Sequence, residues 1–185
     1  MKTETKPAKD HTGLVVWLTG LSGAGKTTLA TAVQRSLRQR DYRAPMLDGD
    51  VLRAGLCSDL GFSAKDRHEN VRRAGAVAGL MAEAGLICVV ALISPFRSDR
   101  TSARALVPAG RFVEVFVNAP LSVCEQRDVK GLYRRARANQ IPEFTGISSP
   151  YEEPESPEIT VRSDLLSIEE SVALILKVVE ERLGR

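Results

Sequence analysis

The sequence predicts an α/β protein, a doubly wound parallel sheet with helices on both faces. Three observations carry this expectation. Short apolar runs alternate with stretches of helical periodicity. The first run leads directly into Gly20-Leu21-Ser22-Gly23-Ala24-Gly25-Lys26-Thr27, which fits G-x-x-x-x-G-K-[ST]. A second run ends in Asp48-Gly49-Asp50, and ligands of an open α/β sheet gather at such carboxyl ends. The length of 185 residues, with 43% hydrophobic content, suits a single domain at 13–185 behind a polar, disordered tail at 1–12.

The elements follow in order. Residues 14–18 read as a buried strand, and the helical pattern of 28–37 starts near Lys26 and runs to about Arg40. A turn at 41–43 leads back into a short parallel strand at 44–47. Residues 66–84 are helical, with Ala74, Gly75, Ala78 and Gly79 permitting close packing, and Gly85 ends them. The most apolar run, 86–93, reads as a strand buried on both faces and stopped by Ser94-Pro95. A helix is expected at 97–106, a fourth strand at 111–117, and a further helix from Leu121 to Arg127. Between 128 and 157 the texture changes to clustered basic residues (Lys130, Arg134, Arg135, Arg137) followed by Gly- and Pro-containing strings, which reads as a basic lid or binding loop. A fifth strand at 159–161 and a closing helix at 167–183 complete the chain, with Ser167 as N-cap and Glu170 completing a capping box.

The glycine-rich loop defines the chemistry, and with it the fold is of the P-loop kinase type. Gly20, Gly23 and Gly25 let the backbone curl so that N–H groups along Leu21, Ser22 and Ala24 face a phosphate chain, and the following helix adds its positive end. Lys26 should reach the β- and γ-phosphates of ATP, and Thr27 should place a hydroxyl on the bridging Mg2+. Thr28 meets the α-phosphate side, and Asp48 holds the metal through water. Asp50, two residues on, faces the same edge as a candidate general base.

Composition narrows the partners. A net charge of +3 argues against a nucleic-acid binder. No apolar run approaches membrane-spanning length and the first residues are polar, so no membrane association is expected and the location reads as cytoplasmic. Cys57, Cys88 and Cys124 are too widely spaced for a zinc site or a disulfide framework.

The acceptor side carries longer strings: 47–53 (LDGDVLR), 61–70 (GFSAKDRHEN), 93–97 (ISPFR), 128–133 (DVKGLY) and 144–151 (FTGISSPY). From about residue 13 to its end the chain closely resembles the adenylylsulfate kinases. The resemblance implies ATP-dependent phosphorylation of the ribose 3′-hydroxyl of adenosine 5′-phosphosulfate, yielding 3′-phosphoadenosine 5′-phosphosulfate, in a homodimer. At matching positions it implies that Asp50 contacts the acceptor hydroxyl. Arg53, Arg67 and Asn70 would bind the phosphosulfate and nucleotide, and Phe62 and Phe144 would sandwich the adenine. Ile93 and Ser94 would line the pocket, with Lys130 and Leu132 in the closing segment. Arginine forks suit a phosphosulfate, and aromatic faces suit an adenine. Val51 departs from the usual asparagine, Ala54 from a common histidine, and the lid at 134–140 lacks a frequent glycine.

Ser94 has two readings. A phosphoserine intermediate is the lesser one, since direct transfer needs only positioning, magnesium and Lys26, and no histidine shares its motif. Among rival functions, another small-molecule kinase shares the loop without explaining the acceptor strings. A GTPase switch would carry an N-K-x-D signature, which this chain lacks. A catalytically idle regulatory copy would not need Lys26, Asp48 and Asp50 together.

Overall fold

The computed structural model describes residues 12–184, so the expected tail at 1–12 lies, Thr12 apart, outside the described residues. The elements are β1 (Leu14–Thr19), α1 (Lys26–Gln39), β2 (Met46–Asp48), α2 (Gly49–Ala54), α3 (Ala64–Glu83), β3 (Ile87–Ala91), α4 (Arg97–Ala105), β4 (Phe112–Asn118), α5 (Leu121–Arg127), α6 (Leu132–Arg137), β5 (Ile159–Arg162) and α7 (Ile168–Arg182). All five strands pair in parallel, in the order β2-β3-β1-β4-β5.

The period-two alternation of the strands sorts the core into two layers. Leu14, Val16 and Leu18 of β1 point to one face, with Ile87, Val89, Val113, Val115 and Val117, and meet Leu29, Val33 and Leu37 of α1 and Ile175, Leu176 and Val179 of α7. Val15 and Trp17 point to the other, with Cys88, Val90 and Phe112, and meet Val71, Ala74 and Ala78 of α3 and Ala103 of α4. The β3 strand is buried throughout, as its unbroken apolar run requires when helices cover both faces. On the α3–α4 face, Glu114 of β4 is a buried carboxylate, bonded at 2.7 Å by the Arg100 guanidinium.

Two helices lie where no helix was expected: α2, directly after β2, and α6, inside the lid. Both have six residues, too short for a periodic apolar stripe to show in the sequence. The closing helix does carry the capping box between Ser167 and Glu170. The order of strands places β1 between β3 and β4, so the loop leaving β1 opens into the crevice at the carboxyl edge of the sheet.

Candidate active site

The loop after β1 bends through left-handed glycines: Gly20 has φ 151°, Gly23 75° and Gly25 96°. At Gly20 a Cβ would also lie 2.4 Å from the carbonyl oxygen of Val117, so a side chain is excluded by contact as well as by conformation. Gly25 is the N-cap of α1 without any side-chain cap, leaving the first N–H groups of the helix for an anion. Lys26 opens the helix. Its side chain is buried and its Nζ donates to the carbonyl of Leu21 at 2.7 Å. Burial pushes the ammonium down to about 8 from 10.5, against the partial support of the nearby Asp48 and Asp50 carboxylates.

Thr27 and Asp48 are brought together: the hydroxyl donates to Asp48 Oδ2 at 2.8 Å. The other oxygen of Asp48 accepts from the N–H of Asp50 at 2.9 Å and so N-caps α2. Asp48 therefore caps α2 with one oxygen while the other faces the phosphate loop. Asp50 projects from the first turn of α2, exposed, and pairs with Lys130 from the lid. Thr28 is exposed on the first turn of α1.

On the acceptor side, Phe62 is 57% exposed and lies under the Arg53 guanidinium, 4.3 Å from the ring centroid, and more distantly under that of Arg67 at 5.8 Å. Arg53 is anchored on the carbonyls of Leu60 and Gly61. Arg67 is buried, and its guanidinium bridges the carbonyls of Phe62 and Glu143 at 2.9 Å each, fastening the segment of one expected aromatic to that of the other. Phe144 itself is only 7% exposed and packs edge-on against Tyr133, centroids 5.1 Å apart. The two phenylalanines are thus unequal: Phe62 offers an open face, and Phe144 belongs mainly to the core. Asn70 is buried with its side-chain Oδ1 unpartnered, as is the hydroxyl of Thr145. A buried polar atom left without a partner within the chain is costly, which sets both apart from the surrounding core.

Ile93 and Ser94 sit just beyond β3. Ser94 is buried with φ 38°, a strained value for a non-glycine residue. Its Oγ accepts the indole N–H of Trp17 at 3.0 Å, while its carbonyl accepts from Arg100 at 2.7 Å. Among the described residues its hydroxyl has Trp17 Nε1 and the Leu92 carbonyl as partners, neither of them a base. Leu132 starts α6, and Tyr133 beside it donates its hydroxyl to the carbonyl of Ser22 at 2.9 Å, tying the lid to the phosphate loop.

Several residues of this site escaped the sequence. Thr19 bonds both the carbonyl of Ile93 and the hydroxyl of Tyr151, and Arg100 joins Ser94 to Glu152. Arg127 donates to Gly23 O and Ser163 O, and Ser163 Oγ donates to Ala24 O at 2.6 Å, bracing the phosphate loop from behind. A signal existed only for Tyr151 and the pair Ser94-Pro95, which fall within the acceptor strings. The remainder are single residues whose roles come from long-range contact.

The chain matches the adenylylsulphate kinase family model over residues 12–162. It is 54% identical over 172 residues to an adenylyl-sulfate kinase of Acaryochloris marina, covering 93% of this chain and 84% of that one. An adenylyl-sulfate kinase of Vibrio parahaemolyticus is 55% identical over 168 residues, covering 91% and 82%. Among solved structures, an APS kinase of Mycobacterium tuberculosis in complex with AMPPNP and APS superposes with a TM-score of 0.87 at 44% identity, covering 94% of this chain and 99% of that one. A gluconokinase of Sinorhizobium meliloti, at 19% identity and a TM-score of 0.63, shares the fold alone.

Proposed function

The chain belongs to the adenylylsulphate kinase family, and from that premise we propose that it transfers the γ-phosphoryl group of ATP to the ribose 3′-hydroxyl of adenosine 5′-phosphosulfate. The observation that carries the reading at residue level is the 2.8 Å bond from Thr27 to Asp48, which joins the donor loop to the turn bearing Asp50. Asp48 on the donor side ends β2, and Asp50 on the acceptor side stands two residues later in the first turn of α2.

Lys26 exchanges its bond to the Leu21 carbonyl for the β- and γ-phosphates, supplying positive charge where negative charge develops. Asp50, released from Lys130, orients the 3′-hydroxyl and accepts its proton as the ribose oxygen bonds to phosphorus and the bond to the β,γ-bridging oxygen breaks. Arg53, Arg67 and Asn70 bind the anionic phosphosulfate, with the adenine on the open face of Phe62. The Phe144 segment closes the other side, and Ile93, Ser94 and Leu132 line the pocket. Direct transfer leaves Ser94 unmodified.

Mg2+ fits the donor set. The exposed Thr27 hydroxyl and the half-buried Asp48 carboxylate, 2.8 Å apart, are oxygens of the kind a hard dication takes, alongside phosphates and water. When bound there, the ion would neutralise charge on the β- and γ-phosphate oxygens. Three buried free thiols support a reducing, cytoplasmic setting, and no described helix is long and apolar enough to cross a membrane. A homodimer is the proposed assembly, although an APS kinase of Thiobacillus denitrificans is hexameric and this chain covers 29% of it. Light scattering at assay concentration should give twice the mass of the 20.1 kDa chain. The reaction is tested by coupling ADP release to oxidation of a reduced nicotinamide, with adenosine 5′-phosphosulfate, gluconate and nucleosides as acceptors. Turnover with the phosphosulfate alone is expected, and preference for any other acceptor would overturn the reading.

A further inference from the structure

The segment from Tyr151 to Glu155 has no regular secondary structure, yet each of its residues but Pro154 takes part in a hydrogen bond to another segment. Its anchor is the β3–α4 connection. The N–H of Glu152 donates to the carbonyl of Pro95 at 2.8 Å, and Arg100 donates to the carbonyl of Glu152 at 2.7 Å. The Glu152 carboxylate accepts from the N–H of Arg97 at 2.8 Å, and Arg97 in turn donates to the carbonyl of Glu153 and to Glu155. The helix α4 has Phe96 as N-cap and no capping side chain of its own, so a residue 55 positions away supplies the anionic cap.

The tie reaches both faces of the acceptor pocket. Arg100 is 3% exposed and spreads three donors over Ser94 O, Glu152 O and the Glu114 carboxylate. Ser94 is the strained turn that the proposed reaction puts at the floor of the pocket, and Glu152 follows the turn at 144–149 on its other side. In that turn the N–H groups of Ile147, Ser148 and Ser149 all converge on the carbonyl of Phe144. Tyr151 adds a bond to Thr19 at 3.0 Å and stacks on Phe116. The turn is self-bonded; Arg67 and the packing of Phe144 on Tyr133 hold its start, and the strap that follows holds its far end toward Ser94.

We propose that Glu152, Arg97 and Arg100 are positioning residues for the sulfated acceptor: they lock the strap at 151–155 onto the β3–α4 turn and thereby set the spacing between the Ser94 floor and the Phe144 turn. None of the three touches the donor loop, so the larger effect is expected on acceptor binding. The inference rests on the proposed kinase reaction for its kinetic readout.

Glu152→Ala and Glu152→Gln separate positioning from bulk stability. Glutamine retains an oxygen for the Arg97 N–H, and alanine does not. Glu152→Ala should raise KM for adenosine 5′-phosphosulfate about tenfold, with KM for ATP unchanged and kcat within about threefold, and Glu152→Gln should restore most of the loss. Arg97→Ala should shift the acceptor KM the same way without the buried unpaired charge that loss of Arg100 would leave. Equal changes in both KM values, or a loss of kcat alone, would overturn the proposal. Amide exchange of the ligand-free protein provides a readout independent of the reaction. Glu152→Ala should speed exchange at Ile147, Ser148 and Ser149 but not in the loop 20–28, and unchanged exchange at those amides overturns the strap even if the substrate proves to be another compound. Wild-type protein inert toward adenosine 5′-phosphosulfate with the exchange pattern intact would remove the kinase reading and leave the strap standing.

Discussion

At the residue scale, Lys26 shows how burial tunes a phosphate-binding cation. Its folded pKa of about 8 lies below the ordinary 10.5, so between these values the unfolded chain binds the extra proton and the ligand-free protein gains stability as pH rises; below about 8 the cost of the buried charge is carried in full. The phosphates of ATP reverse the sign by raising the bound-state pKa. ATP binding should therefore take up close to one proton at pH 9 and almost none at pH 6.5, and affinity should fall as pH rises through 8. Calorimetry in buffers of different ionisation enthalpy measures this, and Lys26→Ala should abolish the uptake. The two aspartates divide along similar lines. Asp50→Asn should lower turnover by about two to four orders of magnitude with ATP binding retained, the usual loss on removing a positioned base. Asp48→Asn weakens the hold on Thr27 and should appear as a raised magnesium requirement. Nucleotide affinity, turnover and a magnesium titration for both variants check the division.

At the element scale, α3 illustrates the purpose of its small residues. A Cβ at Gly79 would lie 2.9 Å from the carbonyl oxygen of Leu106, and at Gly75 3.1 Å from the Cβ of Ala103, so these glycines let α3 approach the α4 region at backbone distance. Gly79→Ala gains about 1 kcal/mol of helix propensity, whereas overpacking typically costs about 1–3 kcal/mol. Because the opposing atom is backbone rather than a movable side-chain tip, the clash should prevail. A net loss of about 1 kcal/mol is expected from urea denaturation, and an unchanged or higher midpoint would mean that the Leu106 turn yields without penalty.

At the scale of the whole molecule, the strand order gathers the phosphate loop, the Asp48–Asp50 turn and the Ser94 turn at one edge of the sheet, all held by native contacts that an unfolded chain lacks. ATP with magnesium should then stabilise by mass action. At a hundredfold excess over Kd the gain is about 2.7 kcal/mol, equivalent to roughly 5–10 °C in Tm for a domain of this size. Addition of EDTA should remove most of that shift and all turnover. Thermal scans with ATP, ATP plus magnesium, and ATP plus EDTA provide the measurement; equal shifts in all three would place the nucleotide outside the phosphate loop.

The parallel sheet, the loop 20–27 and the Thr27–Asp48–Asp50 grouping were legible in the chain because each depends on local pattern: apolar runs of strand length, glycines at fixed spacing, and carboxylates at a strand end. The arginine, asparagine and phenylalanine of 61–70 were singled out through their strings, and the structure puts Phe62 and Arg67 in contact. What only the tertiary structure decided is how those groups are held. Nothing local marks Arg100 as the bridge between Ser94 and Glu152, Glu152 as the cap of α4, or Phe144 as a core residue while Phe62 lies open. Those outcomes depend on which side chains meet across separations of 6 to 55 residues once the sheet has formed. Hydrogen bonds and burial between such distant partners leave no periodicity in a single sequence.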